Sequence, residues 1–307
     1  MATNEIIVLI LFIAVIFFIY AAEAVQISIY AYNKLTGRYR RITKRAILLH
    51  VLALTGVIVF CYGYFIEPYC IEVTTIPIKT SKLSNATFRV VQFSDLHCDK
   101  RPLNENQTVK IINDLKPDII VFTGDAINRP SALPQFKEVM KSLNAPLGKF
   151  AVYGNWETRH LPGLDYYSQT GFKVLDGDIV PLEKYNDTIT ISGLSCDTHK
   201  SAGNMLNKLS QENYNIFLFH FSDLIESLDG FKVDLYLSGH THGGQVALPF
   251  YGALITLSKF GKKYESGKYT VGNTTLYVNR GLGMDGYPVK IRLFARPEIT
   301  VFDIGPK

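Results

Sequence analysis

Five short segments carry side chains of the kinds that hold metal ions. They are Asp95-Leu96-His97, Gly124-Asp125, Gly154-Asn155-Trp156-Glu157, His220, and Gly239-His240-Thr241-His242. Carboxylate, imidazole and amide donors without a thiolate suit Mn, Fe, Zn or Mg in a reactive site rather than a structural zinc. Two carboxylates, Asp95 and Asp125, offer charge to balance two divalent ions. A pair of such ions a few ångströms apart can clamp a phosphoryl group. His240 and His242, spaced i, i+2 among small neighbours, can both approach one metal centre. Any one of these fragments is weak, because a lone His near a strand end is more often a hydrogen-bonded structural residue. The weight lies in five clusters with one common setting.

That setting is the end of a short apolar run. FRVVQF (88–93) leads into Asp95, DIIVFT (118–123) into Asp125, KFAVY (149–153) into Asn155, NIFLF (215–219) into His220, and DLYLS (234–238) into His240. Runs this short, rich in Val, Ile and Phe, predict buried strands. Helical patterns fall between them at 104–116 and 132–143. Strand–helix alternation predicts an α/β architecture, and such sheets bind ligands beyond the carboxyl ends of their strands. Arg280 follows the run TTLYV and so also lies in a strand-end loop, where its guanidinium could hold a phosphate oxygen. Lys259, Lys262 and Lys263 read as ordinary surface.

The order Asp-x-His, Gly-Asp, Gly-Asn-x-Glu, His, Gly-His-x-His resembles the calcineurin-like metallophosphoesterase superfamily over residues 86–304. It is most similar to the bacterial membrane-associated branch that includes the chlamydial-type UDP-2,3-diacylglucosamine pyrophosphatase. The resemblance implies a double β-sheet sandwich flanked by helices and two divalent ions, with Mn favoured. It implies that Asp95, His97 and His242 hold one ion, that Asn155, His220 and His240 hold the other, and that Asp125 bridges them. Asp125, Asn155, His240 and Arg280 are the candidate catalytic residues. The sequence departs from the family where Gly-Asn-His-Asp/Glu becomes Gly-Asn-Trp-Glu, because Trp156 cannot donate a catalytic proton. Either the leaving group departs without an acid, as a phosphate in a pyrophosphate bond does, or His160, His199 or Arg159 substitutes, or the site is slow. For Trp156 itself, the chain's single Trp, core packing is the expectation, with a stacking platform as the alternative.

The other feature is at the N-terminus. Residues 6–22 and 46–66 contain no charged side chain. The second run is long enough to span a bilayer, and so is the first if its helix continues past Glu23. Two core helices of a soluble domain would each keep a polar face. A cleaved signal peptide would begin with basic residues, whereas this chain begins MATNE. The linking segment NKLTGRYRRITKR carries Lys34, Arg38, Arg40, Arg41, Lys44 and Arg45 and no acid. Short basic loops stay cytoplasmic, so the expectation is a two-span hairpin with the catalytic domain extracytoplasmic. A UDP-linked substrate would require the opposite placement.

The formal charge of +5 thereby resolves into +4 before Glu67 and +1 after it, which removes nucleic acid as the partner and leaves the bilayer. Three segments follow: the hairpin (1–66), a tether with an edge strand (67–85) and the metallophosphoesterase domain (86–307). The expected function is a membrane-anchored phosphohydrolase acting on a phosphodiester or pyrophosphate bond, with a lipid-linked substrate. The alternatives are UDP-2,3-diacylglucosamine pyrophosphatase and a non-catalytic metal-binding receptor or scaffold. Oligomeric state is left open. Four Cys exclude a disulfide-dense scaffold, although Cys98 and Cys196 could pair outside the cytoplasm.

Overall fold

The computed structural model describes residues 3–38, 41–286 and 290–307, so Arg40 of the basic loop lies outside the described residues. Helix α1 (Thr3–Leu35) and helix α2 (Lys44–Phe65) form an antiparallel pair. Tyr20 donates to the Ala53 carbonyl at 3.0 Å, and Glu23 and His50 meet at 2.7 Å across the pair. Glu23 therefore faces its partner helix. Both helices are long and apolar enough to cross a membrane. Their large apolar side chains, such as Phe17, Phe18, Leu48 and Leu54, point outward into the surroundings, unlike those of a core helix. At 1.5 Å per residue α1 is about 50 Å long, more than the roughly 30 Å apolar thickness of a bilayer.

Among the described residues the remaining chain builds two six-stranded sheets. The first contains β1 (Glu72–Thr80), β2 (Phe88–Phe93), β3 (Ile119–Phe122), β4 (Gly148–Ala151), β5 (Phe172–Val174) and β14 (Glu298–Pro306), in the order β1-β14-β2-β3-β4-β5. The second contains β6 (Ile179–Lys184), β7 (Asp187–Gly193), β8 (Tyr214–Leu218), β9 (Leu235–Ser238), β12 (Gly267–Val271) and β13 (Thr274–Val278), in the order β12-β13-β9-β8-β7-β6. A two-stranded hairpin, β10 (Ala247–Leu248) with β11 (Gly252–Ala253), stands apart. Strands β2 to β5 run parallel, as do β7, β8, β9 and β13, so the carboxyl ends within each of these runs share one edge. β1 is the outer strand of its sheet, parallel to β14 over nine residue pairs.

The sheets pack face to face. Phe88, Val90, Ile119, Val121 and Val152 meet Ile189, Ile191, Ile216, Leu218 and Leu237 in one buried cluster. The other face of the first sheet, with Val91, Phe93, Ile120 and Phe122, is covered by α3 (Glu105–Asp114) and α4 (Leu133–Ser142) through Ile112, Phe136 and Met140. The outer face of the second sheet, with Phe217, Tyr236 and Val278, is covered by Met205, Leu206 and Ile225. Strands buried on both faces have no polar alternation, which is why β2, β3, β8 and β9 read as continuous apolar runs. The result is a four-layer α/β fold. Gln92 Nε2 donates to the Ser238 carbonyl at 2.9 Å and ties the two sheets together just below their common edge.

Candidate metal centre

All the strand-end clusters converge on that edge. Asp95 and His97 follow β2, Asp125 follows β3, Asn155 follows β4, His220 follows β8, and His240 and His242 follow β9. The loops are laced to one another. Asp95 N–H donates to the Gly124 carbonyl at 2.9 Å, His97 N–H to the Asp125 carbonyl at 3.1 Å, and Gly239 N–H to the His220 carbonyl at 3.0 Å. Five of these residues hold left-handed backbone: Asp95 (φ 49°), His97 (41°), Asp125 (62°), His240 (73°) and His242 (52°). Such conformations cost about 1–3 kcal/mol each and persist where surrounding structure imposes them, often at functional sites. Here they turn each side chain from the strand direction into the cleft. Glycine is needed beside them: a Cβ on Gly154 would collide with Asp125 Oδ1, and one on Gly239 with Asp95 Oδ2.

Two groups of donor atoms result, Asp95–His97–His242 and Asp125–His220–His240, each with its ligand atoms within 4.8 Å of one another. Asp125 Oδ2 stands 3.6 Å from His97 Nε2 and 3.3 Å from His220 Nε2, so it lies between the groups. His242 Nε2 is 3.4 Å from Asp95 Oδ1, and Asn155 Oδ1 is 3.1 Å from His220 Nε2. The back nitrogens are held from behind. His97 Nδ1 bonds Asn128 Oδ1 at 3.0 Å, and His220 Nδ1 bonds the Thr123 carbonyl at 2.7 Å. Acceptors at Nδ1 place the proton there and leave each Nε2 lone pair aimed into the cleft.

This donor set fits two divalent ions. His97 Nε2 and His242 Nε2 lie 3.2 Å apart, an arrangement that places two lone pairs toward one point and suits a shared cation. The electrostatics agree. Burial and the neighbouring Asp125 push the Asp95 carboxyl up. Burial also acts against Asp125, but the His220 imidazole beside it, its hydrogen bond and His97 hold its carboxyl below the ordinary range. Burial opposes the charged form of His220, yet Asp125 raises its pKa to about 10. Burial, His97 and Arg292 drive His242 far down. A cation would relieve the burial cost on Asp95 and its repulsion from Asp125, and to bind one His220 must give up its proton.

The cavity above these groups has a volume of about 230 Å³. Trp156 lines it, against the expectation of core packing, because its position is the first residue of a π-helical turn (Trp156–His160) beside the cleft. Its ring meets His97 edge-on at 5.3 Å and stacks on His160 at 4.8 Å and 24°. His199 and Arg159 instead line a neighbouring cavity of about 680 Å³ with Phe221 and Lys259. Arg280 does not line the metal cavity among the described residues. Its Nη2 pairs with Glu72 at 2.8 Å and with Glu298 at 3.4 Å, so the strand-end loop directs it to the β1–β14 edge. Cys98 and Cys196 are separate buried thiols.

Three residues without an assigned part in the sequence reading support the centre. Glu157, in the same turn as Trp156, reaches back to accept the backbone N–H groups of Gly154 at 2.7 Å, Ala126 at 2.5 Å and Asp125 at 3.1 Å. Burial and the nearby Asp125 raise its pKa to about 7. Its place in Gly-Asn-x-Glu was the available signal. Asn128 orients His97. Arg292 is wholly buried and donates to the carbonyls of Gly283 and Ala295 at 2.6 and 2.7 Å, with Nη2 3.3 Å from His242 Nδ1. Nothing local in IRLF marks that burial.

Comparison with known proteins agrees with this geometry. Residues 88–244 match the calcineurin-like phosphoesterase family. The chain is 38% identical over 265 residues to the uncharacterized metallophosphoesterase YkuE of Bacillus subtilis, covering 79% of this chain and 89% of that one. It is 30% identical over 261 residues to an uncharacterized metallophosphoesterase of Aquifex aeolicus (79% and 95% covered). It is 27% identical over 323 residues to the UDP-2,3-diacylglucosamine pyrophosphatase LpxG of Chlamydia muridarum (82% and 95% covered).

Proposed function

The chain belongs to the calcineurin-like phosphoesterases, metal-dependent hydrolases of phosphoester or anhydride bonds, and on that premise we propose a membrane-anchored enzyme that cleaves a phosphodiester or pyrophosphate bond in a lipid-linked substrate. The observation that carries the reading is the position of Asp125 between two buried donor groups. Asp95, His97 and His242 would hold one ion, and Asn155, His220 and His240 the other, with Asp125 shared. The donor set admits Mn, Fe, Zn or Mg, and Mn is the metal we favour. When bound, the ions supply Lewis acidity toward the phosphoryl oxygens and make water a better nucleophile at neutral pH.

The chain's own groups orient and enclose. Asn128 and Thr123 hold the rings of His97 and His220, and Glu157 holds the loop that carries Asp125. Trp156 lines the cleft beside His97. Because the indole offers only an N–H hydrogen-bond donor, the substrate fitted to this site has a stabilised leaving group, as a pyrophosphate does. Arg280 is committed to Glu72 and Glu298 and ties the starts of β1 and β14 together. The convergence of both donor groups on Asp125 favours an enzyme over a non-catalytic scaffold.

The length and outward apolar surface of α1 and α2 support the anchoring, and the basic residues Lys34, Arg38, Arg41, Lys44 and Arg45 between them favour an extracytoplasmic catalytic domain. The similarity to LpxG favours a second reading, UDP-2,3-diacylglucosamine as substrate, which needs a cytoplasmic domain. A C-terminal reporter active only outside the cytoplasm would reject that second reading. The substrate class is tested by giving purified, Mn-loaded full-length protein a phosphomonoester, a phosphodiester and UDP-diacylglucosamine. Turnover of the monoester alone would contradict the proposal.

A further inference from the structure

We propose that the loop pair 246–257 and 291–295 dips into the bilayer surface, so that the metal cavity opens at the depth of lipid headgroups and takes its substrate from the membrane plane. The inference rests on the membrane reading of α1 and α2.

The two loops form one small lobe. β10 and β11 pair with each other, and Ala247 N–H donates to the Leu293 carbonyl at 2.8 Å while Leu293 N–H donates to the Gln245 carbonyl at 2.9 Å. Ile255, Thr256 and Leu257 of the first loop line the metal cavity, so the lobe forms part of the mouth.

The lobe is fastened to both helices at their domain-side ends. Thr256 Oγ1 donates to Glu5 in the first turn of α1 at 2.7 Å. Arg292 N–H donates to the Gly63 carbonyl near the end of α2 at 3.0 Å, and Ala295 N–H donates to Glu67 Oε1 at 2.7 Å. The antiparallel register of Tyr20 with Ala53 and Glu23 with His50 brings these two helix ends level. If the helices span a bilayer, its surface passes through this lobe.

The lobe's side chains suit that position. Phe250 is fully exposed, and Leu257 and Phe294 are 58% and 56% exposed. Among the described residues after residue 66, the exposed large apolar side chains other than Tyr185 lie in this loop pair or in the segment leaving α2, at Tyr69 and Val73. Phe250, Leu257 and Phe294 also hold left-handed backbone, with φ of 63°, 56° and 54°. Bulky side chains in that region are true outliers, and glycine or asparagine would sit there with less strain. The chain therefore bears backbone strain to present three apolar side chains outward, Phe250 with no intramolecular burial in return and Leu257 and Phe294 with less than half. Insertion into an apolar layer supplies the burial. Lys259 lies two residues after Leu257, and Lys262 lies over the Tyr251 ring at 3.5 Å to its centroid while pairing with Glu265 at 3.7 Å, so basic side chains flank the apolar tips as they do in interfacial segments that bind anionic lipid.

The test uses full-length protein in vesicles of phosphatidylcholine and phosphatidylglycerol brominated either high or low on the acyl chain. Phe250→Trp and Phe294→Trp report on the lobe, Phe17→Trp reports on the middle of α1, and the parent protein supplies the Trp156 background. The proposal expects the lobe reporters to lose about half their fluorescence to the shallow bromines and less to the deep ones, and Phe17→Trp to show the reverse order. An unquenched Phe17→Trp would overturn the membrane reading itself. Deep quenching of Phe17→Trp with no quenching of the lobe reporters would overturn only the docking. Lobe fluorescence that follows the protein-to-lipid ratio and ignores bromine would also overturn it, in favour of a second copy of the chain as the partner. In a second arm, Phe250→Ser/Phe294→Ser should hydrolyse a vesicle-embedded phosphodiester about tenfold more slowly, with the rate on soluble bis(p-nitrophenyl) phosphate within about twofold of the parent. An undiminished rate on the embedded lipid would contradict the proposal.

Discussion

Glu157 accepts the Asp125 backbone N–H at 3.1 Å, although its own carboxylate belongs to neither donor group. The same carboxylate takes the N–H groups of Gly154 and Ala126, so one buried side chain fixes the loops after β3 and β4 relative to each other. Replacing Glu157 with Ala strands three donors in a dry site. The expected cost is about 2–5 kcal/mol of stability. Thermal unfolding should fall accordingly and metal affinity should fall with it, while Glu157→Gln, which keeps an acceptor oxygen, should lie between. Unchanged unfolding and metal binding in Glu157→Ala would remove this role.

Asn128 holds His97 at both ends: its Oδ1 meets the ring Nδ1 at 3.0 Å and its Nδ2 donates to the His97 carbonyl at 2.8 Å. Partners behind a ligating imidazole typically matter by 10–100-fold in affinity or activity. Asn128→Ala should weaken metal binding by about that factor, read by competition with a fluorescent chelator, with the fold intact by circular dichroism.

Trp156 occupies the position where the family's usual histidine stands. Trp156→His should raise turnover of phosphodiesters with poor alkyl leaving groups by about tenfold or more and change the rate for p-nitrophenyl esters little, since a general acid helps most where the leaving group is basic. A Brønsted plot of rate against leaving-group pKa, steep in the parent and flatter in the variant, would show it. Parallel plots would count against the account of the missing acid.

Asp187, at the start of β7, accepts the N–H groups of Ser84, Asn85 and Ala86 at 3.0, 2.6 and 2.7 Å and pins the segment that enters β2. The Ala86 and Asn85 hydrogen bonds hold its carboxyl below the usual range. A depressed folded value means that this stabilisation is present above about pH 4 and is lost as the pH falls through the folded pKa. Asp187→Asn should therefore lower stability near neutrality and flatten the acid limb of the unfolding curve. An acid limb identical to the parent's would contradict this.

Much of the site could be read from the chain because each donor follows an apolar run whose two buried faces force a continuous hydrophobic pattern. β13 falls on TTLYV, and α3 and α4 fall within the helical patterns 104–116 and 132–143. What escaped was long-range. Arg292 is buried by carbonyls that several separate loop residues bring to it, and no periodicity records that closure. Arg280 carries the right chemistry in a strand-end loop, but Glu72 and Glu298, 208 and 18 residues away, claim its guanidinium. β11 ends at Ala253, and the apolar residues after it become the strained loop carrying Leu257, because that segment is held by Glu5 and the cavity wall instead of by a ladder.

The central claim is that Asp125 joins two metal positions into one catalytic unit. Full-length parent and Asp125→Asn, both reconstituted with Mn, should be compared for bound metal by elemental analysis and for phosphodiester turnover on the same samples. The account predicts about two equivalents per chain in the parent, about one or fewer in Asp125→Asn, and a loss of turnover of about a thousandfold or more. Two equivalents and near-parental turnover in Asp125→Asn would contradict it.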